Sequence, residues 1–483
     1  MSSVVGHPAA TWLRAIVSRA ACLVGGPSLL LLPALGAAAA QNRVPPDPRE
    51  AGSSVQGDSI RLSLEQMRSL VLSSAPAYLA IREEFAVARG VLRQASILPF
   101  NPDLALNIPG TGPTQPRNPV EINLMQEIEW AGQRGLRRRA TRAGVSLASA
   151  IIYDAARQSI AEASKAFYAA EASLRRLEVV RASAEFGRRL LEAVQLQLRE
   201  GEISILEANL AEIEAGRARA RVIGEQRQQT ARLVELKRVV GMSVDAKLAL
   251  EPSASASDTS GMPAVSAARP VAPVVDDSGQ VRDLDSLVNA AIGNRADIRA
   301  FDAQISEVTL RAQLTRREAI PNVRLGVYME RMPGEQGLRL GPAFGFGLPL
   351  WNRNQGTADA LAARRRQLEL DRRAAVLRVR AQIVTAASAY VATANEIAIY
   401  ARTVLQPART NGALLETAYR AGKIPLPTLL LLRNQLLDAE LGYWDAWLLR
   451  QQSLVELESA LGGPAIAPSD AELPSLTTQE SHR

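Results

Sequence analysis

A single cysteine, two histidines and an aromatic share of only 4% leave this 483-residue chain short of the materials for metal centres, disulfide frameworks and large globular cores. Cys22 lies early, and His482 is the only histidine beyond residue 40, so no His/Cys cluster can form in the body of the chain and no metal or other cofactor is expected. No nucleophile–histidine pair and no phosphate-cradling loop is present, which argues against an enzyme. Long apolar runs are scarce too. Beyond residue 40 no stretch of about 20 apolar residues occurs, so a membrane, if entered, is entered by strands. Neither charge sign dominates, with 56 basic residues against 49 acidic ones. Without Arg14 and Arg19, the only charged residues of 1–40, the net charge falls from +7 to +5, a weak case for a polyanionic partner.

What is present begins with a secretory signal over 1–40: Arg14 and Arg19, an apolar run through Leu29–Leu32 to Leu35, and Ala38–Ala40 as the cleavage site before Gln41. Cys22 lies upstream of most of that run, a poor fit to lipidation. A polar, proline-rich arm over 41–61 follows.

The remainder states one pattern twice, 221 residues apart: Trp130 recurs as Trp351, Gly135 as Gly356, Arg199-x-Gly201-x-Ile203 as Arg420-x-Gly422-x-Ile424, and Leu233–Leu236 as Leu454–Leu457. So long a period is duplication of a folding unit, not a solenoid. The first unit, 62–251, reads as a helix broken at Pro76 and stopped by Pro99, strands near Asp103–Ile108 and Val120–Trp130 flanking a turn at Pro109–Pro113, and two antiparallel helices meeting at Gly201. A Ser/Ala/Pro-rich linker over 252–283 is expected to be disordered. The second unit, 284–463, repeats the order, with strands near Asn322–Arg331 and Leu338–Trp351 and a kink expected at Pro407; 464–483 reads as a tail. The helix from Leu136 to Glu200 spans on the order of 100 Å at about 1.5 Å per residue. On the helices alone, a periplasmic coiled-coil structural or adaptor rod without a pore fits equally well.

The strands carry further information. Val120, Ile122, Leu124, Ile128 and Trp130 alternate with Glu121, Asn123, Glu127 and Glu129. Leu340, Pro342, Phe344, Phe346, Leu348 and Leu350, running on to Trp351, alternate with Arg339, Gly341, Ala343, Gly345 and Gly347. Alternation alone also suits a soluble sheet with one wet face. In an exported chain with such helices, it reads as the wall of a transmembrane barrel with Trp130 and Trp351 in an aromatic girdle. Four strands cannot close a barrel, so several chains must contribute.

This pattern, from about Leu62 to Gly462, resembles the TolC-type outer-membrane efflux family of Gram-negative bacteria, and the segment Glu127–Gly135 is similar to that of its heavy-metal branch. The resemblance implies a mainly α fold with a small β part, in which three chains share a twelve-stranded outer-membrane barrel above a periplasmic helical barrel. It implies a passive efflux duct for heavy-metal cations or small toxic compounds, served by a periplasmic adaptor and an inner-membrane pump of the resistance-nodulation-division type. Adaptor docking then falls on the helix tips Arg199, Gly201, Ile203, Arg420, Gly422 and Ile424, the isoleucines being read as exposed anchors. Family members carry aspartates six and nine residues after the second tip glycine, where this chain has Thr428 and Leu431; Glu207 matches in the first half. The aperture is therefore expected to close by apolar packing of Leu429 to Leu432 more than by charge. Arginine clusters at 137–139 and 364–366 follow each strand pair and are open to three readings: solvated surface, lipid-headgroup contact or, least favoured in an exported chain, nucleic acid.

Overall fold

The computed structural model describes residues 60–108, 120–252, 284–332 and 337–463. The expected signal, the linker over 253–283, the tail, the turn at 109–113 and the arm up to residue 59 lie outside them. Two short helices lie near the start of the described chain, α1 (Leu64–Ser74) and α2 (Pro76–Ser96), separated at Ala75 because Pro76 disfavours helical geometry in the residue before it. Ser63 caps α1 through a reciprocal bond with Gln66. Strands β2 (Asp103–Asn107) and β3 (Val120–Ile128) follow, then α3 (Gln133–Arg199), 67 residues without a break, and α4 (Ile205–Val240). The second half supplies α5 (Leu284–Asn294), α6 (Ala296–Glu318), β5 (Val323–Arg331), β6 (Arg339–Phe346), α7 (Gln355–Ile399), α8 (Gln406–Arg420) and α9 (Leu426–Ala460).

Three features depart from the sequence reading. Ile60 and Arg61, assigned to the arm, belong to β1 (Ile60–Leu62), which pairs in parallel with β4 (Leu248–Leu250). Three-residue strands are too short to show a period. The strands before the tryptophans are also shorter than read: Trp130 lies two residues past β3, and Leu348, Leu350 and Trp351 lie past β6. Pairing stops at Val323–Phe346 because Pro321 and Pro349, just beyond, offer no N–H to extend the ladder. Finally, the disturbance expected at Pro407 takes a form that the sequence does not specify, and the helix does not end there. The preceding residues Tyr400–Leu405 widen into a π-helical turn, which relieves the clash between the proline ring and the preceding turn, and the helix then continues.

Helix α3 packs against α2, α4, α6 and α9. Alanine permits close helix approach there: Ala163, Ala170 and Ala172 of α3 are all buried. Around them Phe167, Tyr168, Trp444 and Trp447 meet edge to face, with ring centroids 5.7–6.0 Å apart. Burial in the same core pushes the Tyr443 hydroxyl up to about 12. Arg176 ties three helices together, donating to Glu225 of α4 at 2.8 Å and to Asp445 of α9 at 2.5 Å.

Candidate functional site

Strands β2, β3, β5 and β6 form one antiparallel sheet in that order. Because directly paired residues share a face, its register sorts the side chains into rows. On one face lie Leu106–Ile122–Met329–Leu340, Leu104–Leu124–Val327–Pro342, Gln126–Leu325–Phe344 and Ile128–Val323–Phe346. Its polar members are Arg331, paired with Val120 at the strand end, and Gln126, whose amide nitrogen donates to the carbonyls of Phe100 and Glu127 at 3.0 and 2.8 Å. The opposite face carries Asn107–Glu121–Glu330–Arg339, Ala105–Asn123–Tyr328–Gly341 and Glu127–Arg324–Gly345. The apolar face is left uncovered, with Ile122, Leu124, Ile128, Phe344 and Phe346 all exposed, and the polar face is open as well at Arg324, Tyr328 and Arg339. Among the described residues nothing pairs with the outer edges of β2 or β6.

The segment from Glu127 to Gly135 is the joint between sheet and helix. Glu127 accepts from the Asn322 side chain at 2.7 Å, and Glu129 takes both ends of the Arg137 guanidinium. The Trp130 indole N–H donates to the Pro321 carbonyl at 3.0 Å, and the Gln133 amide, 1% exposed, lies 3.3 Å from the Asn322 side-chain oxygen. The joint thereby joins the two halves of the duplication. Trp351 of the second half is 84% exposed.

At the far end, both helix reversals use the same device. Gly201 has φ +77° and Gly422 φ +68°, a region where a side chain is strained. The Glu202 N–H reaches back to the Gln197 carbonyl at 2.9 Å and the Lys423 N–H to the Ala418 carbonyl at 2.8 Å, closing the last turn of α3 and of α8. Arg199 donates to its own helix at the Gln195 carbonyl, and Arg420 pairs with Glu416. The following caps differ. Ser204 and Glu207 form a capping box in which Glu207 accepts from the Ser204 backbone N–H at 3.1 Å, whereas the equivalent position in the second half is Pro425, which cannot do this. Glu207 is thus committed to holding its own helix end. It also lies close enough to Tyr419 to reinforce what burial does to that phenol, raising its pKa, and Tyr419 donates to Gln197 at 3.3 Å, which links the tips.

Ile203 and Ile424 are not the exposed anchors expected. Both are half-buried against a tip core of Phe186, Leu190, Val194, Leu426, Leu429 and Leu430. Each follows a tight turn that folds it inward, a direction linear spacing cannot reveal. The open apolar side chains are Ile205 and Leu206, 69% and 75% exposed, neither of which the sequence singles out as an anchor. Of the leucines expected at the aperture, Leu429 and Leu430 belong to the protomer's own core, Leu432 packs against it, Thr428 is half-buried and only Leu431, 59% exposed, is free to meet another surface. No group of His, Cys, Asp or Glu suited to a metal ion exists among the described residues, nor any helix long and apolar enough to cross a membrane.

Residues 287–463 match the family model for the outer membrane efflux protein. No curated protein matches the sequence closely enough to be significant. Among solved structures, the chain is similar to the VceC outer membrane protein of Vibrio cholerae, with 16% identity, a TM-score of 0.65, and 83% of this chain and 96% of that one covered. It is equally similar to the CmeC outer membrane channel of Campylobacter jejuni, with 13% identity, a TM-score of 0.66, and 83% and 85% covered. The CusC channel protein gives 14% identity, a TM-score of 0.66, and 85% and 96% covered. Residues 287–463 are therefore an outer membrane efflux protein domain, in a chain that has the fold of the TolC-type outer-membrane channels.

Proposed function

We propose that this chain is the outer-membrane duct of a tripartite export system, with its sheet in the membrane and its helices in the periplasm. The observation that carries the reading is the apolar face that runs across all four strands while both sheet edges stay open. Such a face suits hydrocarbon, and open edges in hydrocarbon cost several kcal/mol per unpaired group, so neighbouring copies must complete the wall. Three copies give twelve strands. Ile122, Leu124, Ile128, Phe344 and Phe346 then face lipid, and Trp130, Leu348 and Trp351 lie at its border, where amphipathic rings settle.

At the other end, Arg199, Gly201, Arg420 and Gly422 shape the tips on which a periplasmic adaptor docks, with Ile205 and Leu206 as its apolar footing and Ile203 and Ile424 setting the tip shape from within. Leu431 narrows the aperture. Energy comes from an inner-membrane pump of the resistance-nodulation-division type, and the cargo is heavy-metal cations or small toxic compounds. Two measurements test this reading. After a carbonate wash the protein should stay with outer membranes. A strain lacking it should lose resistance to metal salts or to small toxic organics; recovery of the protein in the wash, with unchanged resistance to both, contradicts the proposal.

A further inference from the structure

A pronounced charge asymmetry lies where the sheet meets the helices. Four segments converge there: the end of α2 (87–98), the start of α3 (131–142), the end of α6 (309–320) and the start of α7 (352–366). Together they hold fourteen arginines, no lysine and two acidic residues, in a chain whose totals are 56 to 49. Local pairing absorbs only part of this charge. Arg137 is taken by Glu129 and Glu318, and Arg311 by Glu307. Arg93, Arg139, Arg142, Arg316, Arg317 and Arg366 are all exposed and make no ion pair among the described residues.

Helix physics explains half of the pattern and makes the other half unusual. Arg93, Arg316 and Arg317 sit in the last turns of α2 and α6, where a cation complements the helix dipole. At the N-termini of α3 and α7 the dipole favours acids, yet neither first turn contains one and neither N-cap side chain bonds the helix. Contrast α1 and α4, both closed by capping boxes. The positive ends of α3 and α7, followed by arginines, therefore present donors and charge to an anion from outside the chain.

Position identifies that anion. Moving away from the sheet, the order is an apolar face, then Trp130 and Trp351, then the arginines, with Arg139 and Arg142 about 9 and 14 Å into α3. We infer that this collar binds anionic phospholipid headgroups of the leaflet nearest the helices, fixing how deep the sheet sits. The inference rests on the membrane placement proposed above and adds a lipid partner to it.

The test uses the full chain in detergent, presented to vesicles of phosphatidylethanolamine with and without phosphatidylglycerol and recovered by flotation. The native chain should bind the anionic vesicles about ten-fold better at low salt, and the preference should fall as salt rises. A variant carrying R139Q, R142Q, R316Q and R317Q should keep its binding to neutral vesicles and its helical circular dichroism while losing most of the preference. Equal binding to both vesicle types, or a preference that survives in the variant, overturns the inference and leaves the membrane placement standing. Failure to bind either vesicle overturns both.

Discussion

Glu207 shows how one residue can be read two ways from sequence. Its place six residues after the first tip glycine matches an aperture charge, and the same letters, Ser204-x-x-Glu207, also spell a helix cap, which the structure shows formed. Ser204→Ala should therefore cost about 1 kcal/mol of stability, read as a lower thermal midpoint. Glu207→Gln, which can still accept the Ser204 N–H, should leave cation block of single channels unchanged; strong block abolished by that change would return Glu207 to the aperture. Gly422→Ala places a side chain at φ +68° and should cost about 1–2 kcal/mol, with no compensating contact since the space around it is open. Asp297 gives a pH dependence of known sign. Burial favours its neutral form, but the buried Arg295 guanidinium at 2.7 Å outweighs burial and holds the carboxyl below its ordinary range. A depressed folded-state pKa contributes stability above the unfolded value of about 4, and that contribution is lost as pH falls through the folded value. The stability gap between the native chain and Asp297→Asn should thus be largest near neutrality and close below about pH 4; a gap independent of pH would refute the pairing.

At the scale of elements, legibility followed period and length. Strands β3 and β6 show their faces because alternation is a period of two, and the register across β2–β3–β5–β6 brings Ile122, Leu124, Leu325, Phe344 and Phe346 to one side, with Met125 on the other. The long helices were legible because breakers are absent between Gly135 and Pro252 apart from glycines, and the reversals at Gly201 and Gly422 because glycine there supplies a left-handed backbone. Three kinds of feature were hidden. The β1–β4 pair is too short to carry a period. The π-helical turn gave only its cause, Pro407, and not its form. The inward direction of Ile203 and Ile424 depends on the turn, not on spacing. The π-turn makes its own prediction: the Tyr400 ring rests on Gly442 of α9, where an added methyl would collide with it. Gly442→Ala should push α7 and α9 apart and lower the thermal midpoint, and an unchanged midpoint would show that the ring moves aside freely.

For the whole molecule, duplication explains more than any single residue. Two copies of one unit, joined where Trp130 and Gln133 of the first grip Pro321 and Asn322 of the second, yield a four-stranded wall segment with two free edges. On the proposed reading, neighbouring copies complete the wall and lipid covers its apolar face. The most direct test is to purify the full chain, determine its mass in detergent and add it to a planar lipid bilayer. A mass of three copies together with discrete conductance steps is the expected result. A water-soluble monomer that needs no detergent and leaves the bilayer silent would contradict the account.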